Sequence, residues 1–232
     1  MPSFAAVLWS SVGKKILAGL TGLIWCLFVL VHLLGNLTLL TGHADAFNKY
    51  SHFLISLGKF LIIIELALVA ALLLHIIIGA TITLGKRKAR PVRYLQVSNA
   101  GGPSRKSFAS TTMIYTGILV FIFLIIHLID FKFGPGIEEG YVAQLGGVEM
   151  RDLYRLVVET FSNKWYVLLY VVAMLPLGFH LSHGAWSAFQ SLGLGHEKYT
   201  PILYVAGYVF AVVIAAGYII IPIWIYLTGG PQ

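Results

Sequence analysis

Eight histidines occur in this 232-residue chain, and His32, His75, His127, His180 and His183 lie inside apolar runs. An ionisable ring in hydrocarbon is costly and by default marks a functional site. For one such ring, a hydrogen bond to a neighbouring carbonyl is an equally good account. Four of them, one on each of four runs, point to a shared ligand. His32 stands 17 residues from Lys15, about 25 Å from the inner boundary, and His127 stands 17 residues beyond Ser110. His75 is nine residues from Leu84, about 13 Å deep, and His180 is nine residues from Phe189. The rings therefore sort into an outer layer (His32, His127) and an inner layer (His75, His180), roughly 12 Å apart. Two helices supply each layer.

Two imidazoles facing each other across a bundle can grip a haem iron from both sides. Both axial positions are then filled, oxygen finds no open site, and the chemistry is electron transfer. Zinc wants three or four ligands at one height, which a two-by-two arrangement does not supply. His75 is followed at i+4 by Gly79, and His180 by Gly184. Residues i and i+4 share a helix face, and glycine there leaves a shelf where a flat macrocycle can approach the backbone. His32 has Gly35 at i+3, and His127 has no glycine within a turn. His183 lacks the i+4 glycine and reads as a secondary group, either bonded to a propionate or quinone or simply interfacial. His43, His52 and His196 fall in or near loops.

The elements that must carry these rings are membrane helices. Of the residues, 58% are hydrophobic and 11% charged, where a soluble domain carries about a quarter charged. This composition excludes a disordered chain, a nucleic-acid-binding domain and an ordinary soluble enzyme. One cysteine, Cys26, excludes a disulfide framework or a cysteine-built metal site and reads as a small buried hydrophobe. Five apolar runs are long enough to cross a bilayer: Ile16–Leu40, Phe53–Leu84, Thr112–Phe131, Trp165–Phe189 and Ile202–Leu227. The second enters the hydrocarbon near Lys59, giving expected spans of 16–40, 58–84, 112–131, 165–189 and 202–227. Pro176 and Pro222 lie inside runs, where membranes tolerate kinks. Pro201 suits a helix start, and Gly229-Gly230-Pro231 ends the last helix. The run from Lys14 and Lys15 is too long for a signal peptide. No convincing internal repeat is visible, and the expectation is an all-α, five-helix bundle forming one membrane domain over 1–232.

Charge sets the orientation. The stretch Gly85–Ser110 holds Lys86, Arg87, Lys88, Arg90, Arg93, Arg105 and Lys106 and no acid, while Asp130–Lys164 holds six acids against four bases. The positive-inside rule places the first stretch in the cytoplasm and, with five crossings, the N-terminus with it. Trp165, Tyr166, Trp224 and Tyr226 sit near the outer ends, as interfacial aromatics do.

The stretches SSVGKKILAGLTG, HLLGNL, HIIIG, HLID and FHLSHGAWSAFQSLG resemble the cytochrome b membrane subunit of succinate:quinone oxidoreductases (succinate dehydrogenase and fumarate reductase, complex II). The similarity is to the five-helix, di-haem, b558-type subunit and runs from Ser10 to the fifth helix. It implies two b haems, one held by His75 and His180 and one by His32 and His127. It implies a flavoprotein carrying FAD and an iron–sulfur protein on the cytoplasmic face, in the respiratory chain of a bacterial inner membrane. Quinone is then the substrate, with menaquinone favoured. Many relatives carry an Arg just before the third helix, where this chain reads Ser110-Thr111-Thr112. Ser10, Ser11, Lys14 and Lys15 at the inner mouth of the first helix could serve a quinone; their plainer role is an N-cap and charge anchors. Glu65 is the candidate proton carrier for an outer site, or else an interfacial carboxylate near Lys59. Two other readings stand beside this one: a di-haem subunit of a formate dehydrogenase or hydrogenase, and a proton-coupled transporter with histidine relays, which would call for repeats and broken helices.

Overall fold

The computed structural model of the protein describes residues 3–89 and 107–229. Arg90, Arg93, Arg105 and Lys106 of the basic stretch, and Gly230-Pro231, lie outside them. Five long helices are apolar enough to cross a membrane. They are α2 (Ser11–Asn36), α4 (Lys59–Ala89), α5 (Phe108–His127), α7 (Lys164–Ser191) and α8 (Thr200–Thr228). In the most apolar stretch of each, at most 28% of the residues are buried. Apolar side chains such as Leu27, Ile63, Leu66, Ile122 and Val213 instead point outward. A bilayer covers such surfaces, whereas water does not tolerate them. The chain is an all-α polytopic membrane protein.

Local chemistry sets the helix starts. Ser10 Oγ accepts from Gly13 N at 3.1 Å and caps α2. Ser107 and Ser110 exchange reciprocal bonds of 3.0 and 3.1 Å at the start of α5. Asn163 Oδ1 accepts from Trp165 N at 2.9 Å where α7 begins. Pro176 and Pro222 sit within unbroken α7 and α8. The apolar run from Phe53 is not one helix. Gly58, at φ 54°, ends α3 (Ala44–Ser56) and lets α4 begin at Lys59; only glycine adopts that left-handed conformation without strain.

Residues 3–28, 66–89, 107–117 and 179–212 form one compact unit. It contains α1 (Phe4–Leu8) and parts of all five long helices. Bare backbone brings its helices close. A Cβ on Gly19 of α2 would lie 3.1 Å from Ala188 O of α7, and one on Gly207 of α8 would lie 2.9 Å from Trp186 Cβ. Small residues permit such approaches where lipid gives helices no hydrophobic reason to associate.

Residues 29–65, 118–178 and 213–229 form the second unit. Here α2 runs on through a 3₁₀ turn (Leu37–Thr41), and α5 through a π turn (Leu128–Lys132) closed by Phe133 N on Leu128 O at 2.8 Å. The segments expected as loops are folded. Strands β1 (Val142–Leu145) and β2 (Val148–Arg151) pair antiparallel, with Leu145 opposite Val148 across Gly146-Gly147 at φ 58° and 79°, the turn that a two-residue hairpin requires. Helix α6 (Leu153–Phe161) follows, capped by Asp152 Oδ1 on Arg155 N at 3.0 Å. The side chain of Asn48, 2% exposed, donates to Asp152 Oδ1 at 2.8 Å and accepts from Tyr154 N at 2.9 Å. Phe47, Met150, Tyr154, Leu156, Val157 and Phe161 bury the apolar faces of α3, β2 and α6.

Candidate functional site

In the first unit, α4 presents His75 and α7 presents His180, with ring centres 6.3 Å apart and planes at 66°. Each ring is held from behind in the same way. Nδ1 of His75 lies 3.1 Å from Thr21 Oγ1 on α2, and Nδ1 of His180 lies 3.2 Å from Thr116 Oγ1 on α5. The residue after each threonine is glycine. A Cβ on Gly22 would stand 3.3 Å from His75 Cε1, and one on Gly117 would stand 3.3 Å from His180 Cε1. Even an alanine there would require the imidazole to give by a few tenths of an ångström.

In the second unit, α2 presents His32 and α5 presents His127 as its last residue, with ring centres 5.7 Å apart and planes at 88°. Aromatic rings enclose them. Tyr218 of α8 lies 6.1 Å from His32 and donates to Val29 O at 2.8 Å. Phe123, Phe131 and Tyr170 surround His127 at 5.8, 5.4 and 6.1 Å. Tyr170 Oη donates to Asp130 Oδ2 at 2.7 Å. The buried Nδ1 of His127 has no hydrogen-bond partner among the described residues.

These distances can be tested against a metal held from two sides. Imidazole–metal bonds of about 2 Å on each side, with about 1 Å more to each ring centre, put the centres about 6 Å apart. Both pairs match. Among the described residues no group of three or more His, Cys, Asp or Glu side chains converges. Each site thus offers two nitrogens, the number a porphyrin leaves open, and the residues fit a haem b in each place.

The expected flanking residues fare unevenly. A Cβ on Gly79 would meet nothing within 4 Å, and one on Gly184 would meet only Met113 Cε at 3.9 Å. These glycines border open room and do not serve close helix packing. His183 faces Trp186, ring centres 5.3 Å apart, and it is His180 that faces His75. Ser10 is the α2 cap, Ser11 and Lys15 are exposed, and Lys14 Nζ sits 5.7 Å over the Trp9 ring. None of the four is drawn into the His75–His180 site by a hydrogen bond among those described. Glu65 pairs with Lys132 of the π turn, not with Lys59; the π turn brings the two carriers of charge together across α4 and α5.

The sequence reading missed Thr21, Gly22, Thr116 and Gly117, although a signal was present. Thr21-Gly22 precedes His32 by eleven residues, and Thr116-Gly117 precedes His127 by eleven. On α4 and α7, His75 with Gly79 matches His180 with Gly184. At these positions α2 and α4 are matched by α5 and α7.

No protein-family model matches the chain, and neither any curated protein nor any solved structure is significantly similar to it.

Proposed function

We propose that this chain is a di-haem cytochrome b membrane subunit of a succinate:quinone oxidoreductase, passing electrons between an iron–sulfur partner subunit and quinone. The observation that carries this reading is the spacing of the two imidazole pairs, each contributed by two helices and each suited to one six-coordinate iron. When bound, the haems supply one-electron transfer with no open coordination site. The protein's own residues do the rest. His75 and His180 would hold one group and His32 and His127 the other. Thr21 and Thr116 orient the first pair, and the rings of Phe123, Phe131, Tyr170 and Tyr218 keep water from the second. Burial of uncharged imidazoles in lipid is costly unless both nitrogens find partners, so ligation also stabilises the bundle.

On this reading the positive-inside argument places the His75–His180 end toward the cytoplasm, next to the flavoprotein and iron–sulfur subunits of a bacterial inner-membrane complex. Menaquinone is the favoured substrate. The test is a dithionite-reduced minus oxidised spectrum of the purified chain with haem counted per polypeptide. Two b haems per chain are expected, and a chain without an α-band overturns the proposal. Co-purification of a flavoprotein, not a molybdenum or nickel protein, separates this assignment from a formate dehydrogenase or hydrogenase subunit.

A further inference from the structure

The two threonines behind the His75–His180 pair do more than fill space. Thr21 Oγ1 stands 2.7 Å from Leu17 O and 3.2 Å from Ala18 O, as well as 3.1 Å from His75 Nδ1. Thr116 Oγ1 stands 3.2 Å from Thr112 O and 3.1 Å from Met113 O, as well as 3.2 Å from His180 Nδ1. A hydroxyl has one proton to give, and a carbonyl oxygen can only accept. When the hydroxyl gives its proton to the carbonyl one turn back, its oxygen is free to receive Nδ1–H from the ring, and the carbonyls of Ala18 and Met113, which can only accept, favour the same N–H. Both threonines are buried, at 5% and 7% exposure.

The geometry points to Thr21 and Thr116 as positioning residues that fix the Nδ1–H tautomer of His75 and His180, leaving both Nε2 lone pairs for a metal and raising their basicity. This rests on the di-haem reading above. Histidines that ligate a metal generally donate the other ring N–H to an acceptor, which makes the ligand a stronger electron donor. Such a ligand favours the oxidised iron and lowers the midpoint potential. The second pair is built differently, since Nδ1 of His127 has no such acceptor among the described residues.

The experiment is a spectroscopically followed redox titration of the complete complex, with haem counted, for T21V, T116V, T21S and T116S. Valine matches threonine in shape and removes the hydroxyl, leaving only the carbonyls of Ala18 and Met113 as acceptors near the ring N–H. We expect two haems retained, one of the two midpoints raised in each valine variant, the same midpoint in both, and wild-type values restored by serine. Unchanged midpoints in both valine variants with both haems bound overturn the assignment. Should valine strip the haem, recovery by serine but not by alanine supports the hydroxyl's role, and equal recovery by alanine overturns it. A wild-type chain without haem sinks the underlying di-haem reading, whereas unchanged midpoints sink only the role given to the threonines.

Discussion

Tyr170 donates a 2.7 Å hydrogen bond to Asp130 Oδ2 and so ties α7 to the π turn that follows His127. The same ring packs against Phe123, Phe161 and His127, at 5.0, 5.0 and 6.1 Å. One side chain thus orders the carboxylate and walls one imidazole. Bonds to charged groups contribute about 1.5–3 kcal/mol. Tyr170→Phe keeps the wall and removes the bond, so it should lower the thermal midpoint in detergent while haem content holds. Tyr170→Ala should lower both. A wild-type thermal midpoint in Tyr170→Phe would show that the hydroxyl does nothing, and equal behaviour of the two variants that the ring wall does nothing.

The histidine pairs should fail as pairs. If the chain holds two haems as proposed, His75→Ala or His180→Ala is expected to cut haem from two to one per chain and to loosen attachment of the proposed soluble subunits. His32→Ala or His127→Ala should remove the other haem and leave the first intact. Extracted haem per polypeptide is the readout. A His75 variant and a His127 variant that lose the same spectral component would contradict the pairing.

The glycines give a sharper contrast. A Cβ on Gly22 or Gly117 stands 3.3 Å from an imidazole carbon, whereas one on Gly79 meets no protein atom. Gly22→Val and Gly117→Val should displace His75 and His180 whether or not a ligand is bound. Gly79→Ala should leave the haem-free chain as stable as before and reduce haem retention, because only the macrocycle would meet the new methyl. Normal haem retention in Gly79→Ala would refute the shelf.

Glu65 was a candidate proton carrier, but it is paired with Lys132, the two side chains 37% and 44% exposed. A pair this open contributes at most about 1 kcal/mol. Glu65→Gln should therefore change stability little. Quinone turnover near wild-type in that variant would mark the pair as structural; a large loss with intact haem would return Glu65 to the proton path.

Outside the membrane, Glu159 accepts from Tyr141 Oη at 2.6 Å and from Arg155 Nε at 2.7 Å. The Tyr141 bond first, then Arg155, holds its carboxyl below the usual carboxylate range. A depressed folded value means that the tether is intact above the unfolded value and is lost as pH falls through the folded one. Backbone hydrogen exchange over residues 141–160 should therefore accelerate only below about pH 4, and in Glu159→Gln it should show no such step.

Hydrophobic runs and their lengths were enough to read five crossings, because a span needs about 20 apolar residues whatever its neighbours are. Helical rise alone paired His75 with His180 and His32 with His127 in depth, since 1.5 Å per residue converts sequence distance into height. Depth and the i+4 glycine singled out His180 over His183, but what periodicity could not give was azimuth: that Thr21 and Thr116 stand behind the rings. Those relations join residues 54 and 64 positions apart on helices that are apolar all round, so no amphipathic stripe announces which face is inside. The folded cap of α3, the β1–β2 hairpin and α6 was also invisible, because Asn48 and Asp152 meet across 104 residues. Sequence decided how many rods are long enough to cross and which imidazoles share a height; packing decided which faces meet, because direction around a helix axis is set by neighbours that only the folded chain brings together.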